Sequence, residues 1–143
     1  MEQLHDATKI TMLFAAAMFL WALLLGTMKY RQILASPDHI AHPYTDIAHR
    51  AALLYSFALL LVAAFVQFGG WSFSVELAAS SAMAAYFAMA VAGYTFHGWR
   101  KDTDNQFRRA GSSMRAFMAT LITVEIGAWL VLVAGFVDGQ FAH

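Results

Sequence analysis

Four apolar stretches, each at or beyond the ~20 residues that a membrane-spanning helix needs, take up almost the whole chain. They run over about Thr8 to Leu34, Pro43 to Phe68, Ser72 to Trp99 and Phe107 to Val137. Of the 143 residues 60% are hydrophobic and 13% charged, against roughly a quarter charged in a soluble domain. Each stretch is read as a spanning helix. The expected fold is therefore all-α: a single integral membrane four-helix bundle over residues 1–143, with no soluble domain. Any chemistry must lie between the helices or in a groove open to lipid. The first stretch is read as a helix of the bundle and not as a cleaved leader, because Ile33 and Ala35 make a poor small-x-small site.

The charges divide the two faces. Lys29, Arg31 and Arg50 flank the first connection, and Arg100, Lys101, Arg108, Arg109 and Arg115 flank the third; together these are eight of the nine Lys and Arg, with Lys9 alone at the other face. The positive-inside bias then makes those two connections cytoplasmic and puts both termini outside. A bacterial inner membrane is the expected setting. The formal net charge is zero and there is no basic face, so nucleic acid is not expected as a partner. With no cysteine, disulfides, thiolate metal sites and cysteine nucleophiles are excluded.

Local chemistry marks the boundaries. In "GGWS", Gly69 and Gly70 supply backbone freedom for a tight turn and Ser72 is a candidate N-cap, so the second and third helices are antiparallel neighbours. Pro43 suits a first helical turn and Asp46 complements the dipole there, which leaves His42 before the second helix and His49 inside it. Trp71 and Trp99 sit at opposite ends of the third helix, where amphipathic rings favour the interface. That helix carries Ala78, Ser81, Ala82, Ala85, Ala88, Ala92 and Gly93, a small-residue spacing that allows backbones to approach closely. So small a bundle has much surface for its volume, and a homo-oligomer with shared sites is expected.

Polar residues at membrane depth are the candidates for function. Counting ~1.5 Å per residue from the cytoplasmic side, a shallow layer holds His49, Tyr94 and His97, with Lys29 and Tyr30 nearby. Tyr55, Tyr86 and Glu125 fall about 10 Å deeper by the same rise. Glu125 is the one acidic residue well inside an apolar run; it faces the bundle or a cavity by default, either protonated and hydrogen-bonded to a Tyr, Ser or Thr, or catalytic. Glu76, near the outer end of the third helix, is expected to be solvated. Asp46 and Arg50 have the i,i+4 spacing of an ion pair. His49 admits several roles: a metal ligand with His39 and His42, which needs three or four convergent donors; the axial ligand of a haem, which needs one imidazole and a flat apolar slot; an acid or base; or an interfacial ring reaching for the headgroups. His97, at similar depth on the next helix, is a candidate second haem ligand, and two ligands would make a b-type electron carrier instead of a catalyst.

The stretch "AHRAALLYS" resembles the small four-helix membrane isomerases of the styrene oxide isomerase and hydroxylaminobenzene mutase type. These carry Ala-His at the start of the second helix and, six positions after the His, Asn-Gly; Ala48-His49 matches the first pair, and Tyr55-Ser56 stands where the second would be. The preceding "SPDHIAH" is similar to the short loop of styrene oxide isomerase. The likeness covers about twenty residues. It implies a homotrimer that binds haem b, with His49 as axial ligand and the iron acting as a Lewis acid on an epoxide oxygen. It also implies that Tyr55, in place of the Asn, and a tyrosine of the third helix, Tyr94 or Tyr86, orient a small hydrophobic substrate. A phenol lacks the paired donor and acceptor of an amide, a departure that bears on the substrate.

A weaker likeness is to the membrane-associated glutathione transferases, which are also four-helix trimers. These want an Asn and a Glu in the second helix, where this chain has "LLYSF". A non-enzymatic alternative is a helper subunit whose small-residue faces dock a larger membrane partner.

Overall fold

All four apolar stretches are helices in the computed structural model, which describes residues 3–108 and 110–142. They are α1 (Asp6–Ala35), α2 (Pro43–Gln67), α3 (Phe73–Arg100) and α4 (Ser112–Phe141), and each is long and apolar enough to cross a membrane. Large apolar side chains face outward along them; Leu13 and Leu54 are each 69% exposed. Water would penalise such a surface and lipid does not. The chain is an all-α integral membrane protein.

The helices pack as an up-and-down set around Leu25, Leu59, Val62, Val66, Val91 and Leu132. The turn between α2 and α3 lies at the same end as both termini, since the His5 N–H donates to Gln67 Oε1 at 3.0 Å and Gln140 Nε2 donates to the Phe68 carbonyl at 2.9 Å. The connections 36–42 and 101–111 close the opposite end.

One helix end follows from the residues there, and two do so less closely. Pro43 opens α2 with His42 as N-cap, whose Nδ1 accepts from the Tyr44 N–H. Ser72 caps α3 through its backbone carbonyl, which accepts from Val75 and Glu76; its hydroxyl makes no cap bond. Lys101 ends α3 in the left-handed region at φ 54°, a place glycine more often fills. The fourth helix starts at Ser112, not Phe107. Thr103 Oγ1 accepts from the Asn105 N–H and Asn105 Oδ1 from the Phe107 N–H, and such local side-chain bonds compete with a helix. Arg109 lies outside the described residues.

Two packing expectations are corrected. Neither Gly69 nor Gly70 has positive φ; they are needed for close approach. Gly70 donates to the Gly135 carbonyl at 2.9 Å, and a Cβ on Gly139 would stand 2.8 Å from the Gly70 nitrogen. On α3 the buried positions are Glu76, Ala79, Ser80, Met83, Ala84, Phe87, Ala90, Val91 and Gly98, whereas Ala78, Ala85 and Ala92 of the expected small-residue stripe are exposed. The close backbone contact is instead at Gly98, against Thr45 of α2.

The fourth helix is held mainly at the termini end. Trp71 Nε1 donates to the Val131 carbonyl at 2.7 Å, the Trp71 ring lies over Gly135, and only Leu132 and Gly135 of α4 are buried.

Candidate functional site

At the connection end α1, α2 and α3 are tied by side chains. Gln32 Nε2 donates to the Gly98 carbonyl and Gln32 Oε1 accepts from the His42 N–H, both at 3.0 Å. Asp46 bridges α1 and α2, taking Lys29 Nζ at 2.6 Å on one oxygen and Arg50 at 2.9 Å on the other. Less than a turn deeper on α2 is His49. Its Nδ1 lies 2.9 Å from the Ala22 carbonyl of α1. A carbonyl only accepts, so Nδ1 carries the proton, and a neutral ring then offers its Nε2 lone pair, which has no partner among the described residues. Gly26 makes room for the ring: a Cβ there would stand 3.1 Å from His49 Cε1. His49 is half-buried and faces α1.

His97 occupies a different setting. Its Nδ1 is 2.8 Å from Asp102 Oδ1, its ring tilts over Tyr44 at 5.4 Å between centroids, and Tyr44 in turn stacks on Tyr94 at 6.0 Å. That hydrogen bond holds the Asp102 carboxyl below the usual carboxylate range. Burial, followed by the Lys101 charge, holds the His42 imidazole below the ordinary histidine range. His49 and His97 share no hydrogen bond or ring contact among the described residues. Nor do His39, His42 and His49 converge: His39 is exposed in a turn at φ 52°, His42 caps α2, and no set of three His, Asp or Glu side chains suited to a metal occurs among the described residues.

The deeper candidates gather on the other side of α2. Tyr55 lies about 120° round the helix from His49 at 3.6 residues per turn, stacked on Phe87 of α3 with centroids 4.1 Å apart. Both Tyr55 and Tyr94 are within electrostatic reach of Glu125. Glu125 Oε1 is buried with no hydrogen-bond partner, so the expected bond to a Tyr, Ser or Thr is not made at that atom. Tyr86 stacks on Phe117 at 6.1 Å, and Tyr30 is 61% exposed. Glu76 is not solvated: it is buried at 3% exposure with Oε1 unpartnered, turned under Gly69.

Two cavities accompany these groups. One, of about 340 Å³, lies between α1 and α3, lined by apolar side chains such as Phe14, Met18 and Trp21 and by the small residues Ser81, Ala84, Ala85 and Ala88. Trp21 immediately precedes Ala22, whose carbonyl holds His49. The second, of about 120 Å³, lies between α3 and the start of α4, with Gly93, Tyr94, His97, Met114, Met118 and Leu121 among its walls.

Gln32 and Tyr44 were not singled out by sequence reasoning. Tyr44, 4% exposed, accepts on its hydroxyl from the Gln106 N–H at 2.7 Å and anchors the third connection. A lone amide in the last helical turn and a tyrosine directly after an N1 proline were the signals available. No family model, curated protein or solved structure matches this chain.

Proposed function

We propose that this protein is a membrane-embedded isomerase that rearranges a small hydrophobic epoxide to a carbonyl compound, with His49 as the residue that would hold haem b. The observation that carries this reading is the 2.9 Å contact of His49 Nδ1 with the Ala22 carbonyl. A metal-ligating histidine characteristically donates its other N–H to such a carbonyl, which fixes its tautomer and raises its basicity. The donor chemistry of His49 therefore suits a single haem ligand. The chemistry haem b supplies when bound is Lewis acidity at iron, which polarises an epoxide C–O bond.

The remaining work falls to the chain. The Ala22 carbonyl holds the imidazole proton on Nδ1, and Gly26 lets the ring lie close to α1. Lys29, Asp46 and Arg50 close the site toward the connection end. The α1–α3 groove, mostly hydrocarbon, takes an apolar molecule from the bilayer and keeps out the water that would open the ring to a diol. The isomerase resemblance gives substrate orientation to Tyr55 and to Tyr94 or Tyr86; Tyr55 lies about 120° round α2 from His49, so within one protomer the proposal rests on His49.

The test is turnover of an aryl epoxide by detergent-solubilised protein produced with haem supplied. Carbonyl product without diol is expected from the wild type and none from His49→Ala. Haem-loaded wild type without turnover, or equal turnover by the variant, would contradict the proposal.

A further inference from the structure

The inward face of α4 runs through Met114, Met118 and Leu121, which line the 120 Å³ cavity, and its next inward position is Glu125. Tyr94 of α3 lines the cavity from the facing side, and Glu125 lies one helical turn beyond the lining residue Leu121. Glu125 Oε1 is buried without a partner, and no cation of the chain pairs with Glu125 among the described residues. A carboxylate so placed at membrane depth is costly until something compensates it. The space beside it suits a guest from the lipid. Nothing would touch a Cβ on Gly93 or Gly127 within 4 Å, and the first half of α4 has no buried residue.

We propose that Glu125 and this cavity bind a small amine carried on an apolar body of about the size of a benzene ring, entering from the bilayer between α3 and α4. An apolar cavity of ~150 Å³ takes benzene, and this one, at about 120 Å³, is of that order. Methionine walls adapt to its shape. The ammonium group supplies both the charge and the hydrogen bond that Glu125 lacks, which a hydrocarbon or an alcohol of the same shape does not. The site is independent of the His49 reading, so either can fail alone.

The probes are 4-fluorobenzylamine, 4-fluorobenzyl alcohol and 4-fluorotoluene, titrated against the full chain in detergent and followed by fluorine NMR. The amine is expected to bind saturably and about tenfold or more tighter than the alcohol, the scale of a hydrogen bond to a charged group. Glu125→Gln is expected to erase that preference, and Gly93→Leu, which fills the cavity, to weaken all three probes. Glu125→Asp, which withdraws the carboxylate while keeping its charge, is expected to fall between wild type and Glu125→Gln, and circular dichroism checks that each variant is folded. No saturable amine binding by the wild type, equal affinity for amine and alcohol, or a preference kept in both folded Glu125 variants would overturn the proposal.

Discussion

His42 and His49 are seven residues apart on the same stretch and do unlike things, and the difference is set by what each ring meets. His42 offers Nδ1 as an acceptor to the Tyr44 N–H and must stay neutral to do so. Its pKa is held below the ordinary value by burial and then by Lys101, so the folded chain binds fewer protons here than the unfolded chain. This contribution to stability is therefore complete above the unfolded value of about 6.5 and is lost as pH falls through the lower folded value. Thermal melts in detergent at about pH 8 and about pH 5, which bracket that value, should show a smaller acid loss for His42→Asn than for wild type. His42→Ala should cost about 1 kcal/mol at the higher pH, as lost N-caps do. Pro43 made legible that His42 precedes the helix, but not that its ring caps it. The Ala22 carbonyl beside His49 was not legible either, because it comes from a residue 27 positions away and local pattern says nothing about which carbonyl of a neighbouring helix a ring will meet. The burial of Glu76 was missed for a related reason: its position near a helix end suggested solvent, while its side chain turns inward under Gly69.

Among the elements, length and composition were enough to locate all four helices, since apolar runs of this extent leave the backbone no other way to satisfy itself. The ends were less legible where side chains bond locally, as the late start of α4 after Thr103 and Asn105 shows. The face of α3 that packs was also misread, because a helix made almost wholly of small and apolar residues has several faces of equal promise, and the choice falls to its neighbours. Gly98 decides it here. A Cβ at Gly98 would stand 2.5 Å from Thr45 Oγ1 and 2.7 Å from the Thr45 nitrogen, so Gly98→Ala must push α2 and α3 apart. A loss of roughly 1–3 kcal/mol is expected, the usual cost of overpacking. Gly93→Ala, with open space around it, should cost nothing measurable. Denaturant titration of the two variants side by side checks the contrast.

For the whole molecule, the fold puts both termini and the α2–α3 turn at one end and the two charge-flanked connections at the other. The charge bias then predicts which end faces the cytoplasm. The native chain has no cysteine, so single cysteines at Ser36, Asn105 and Ser72 can be labelled without background. In intact cells an impermeant maleimide should modify Ser72→Cys and spare Ser36→Cys and Asn105→Cys; the opposite pattern would invert the orientation. The central claim, that a half-buried imidazole with its Nδ1 committed to Ala22 keeps Nε2 for iron, is tested most directly by the absorption spectrum of the purified protein. A Soret band in the wild type, lost in a folded His49→Ala variant, is the predicted result, and a colourless, fully folded wild type purified from haem-replete cells would contradict it.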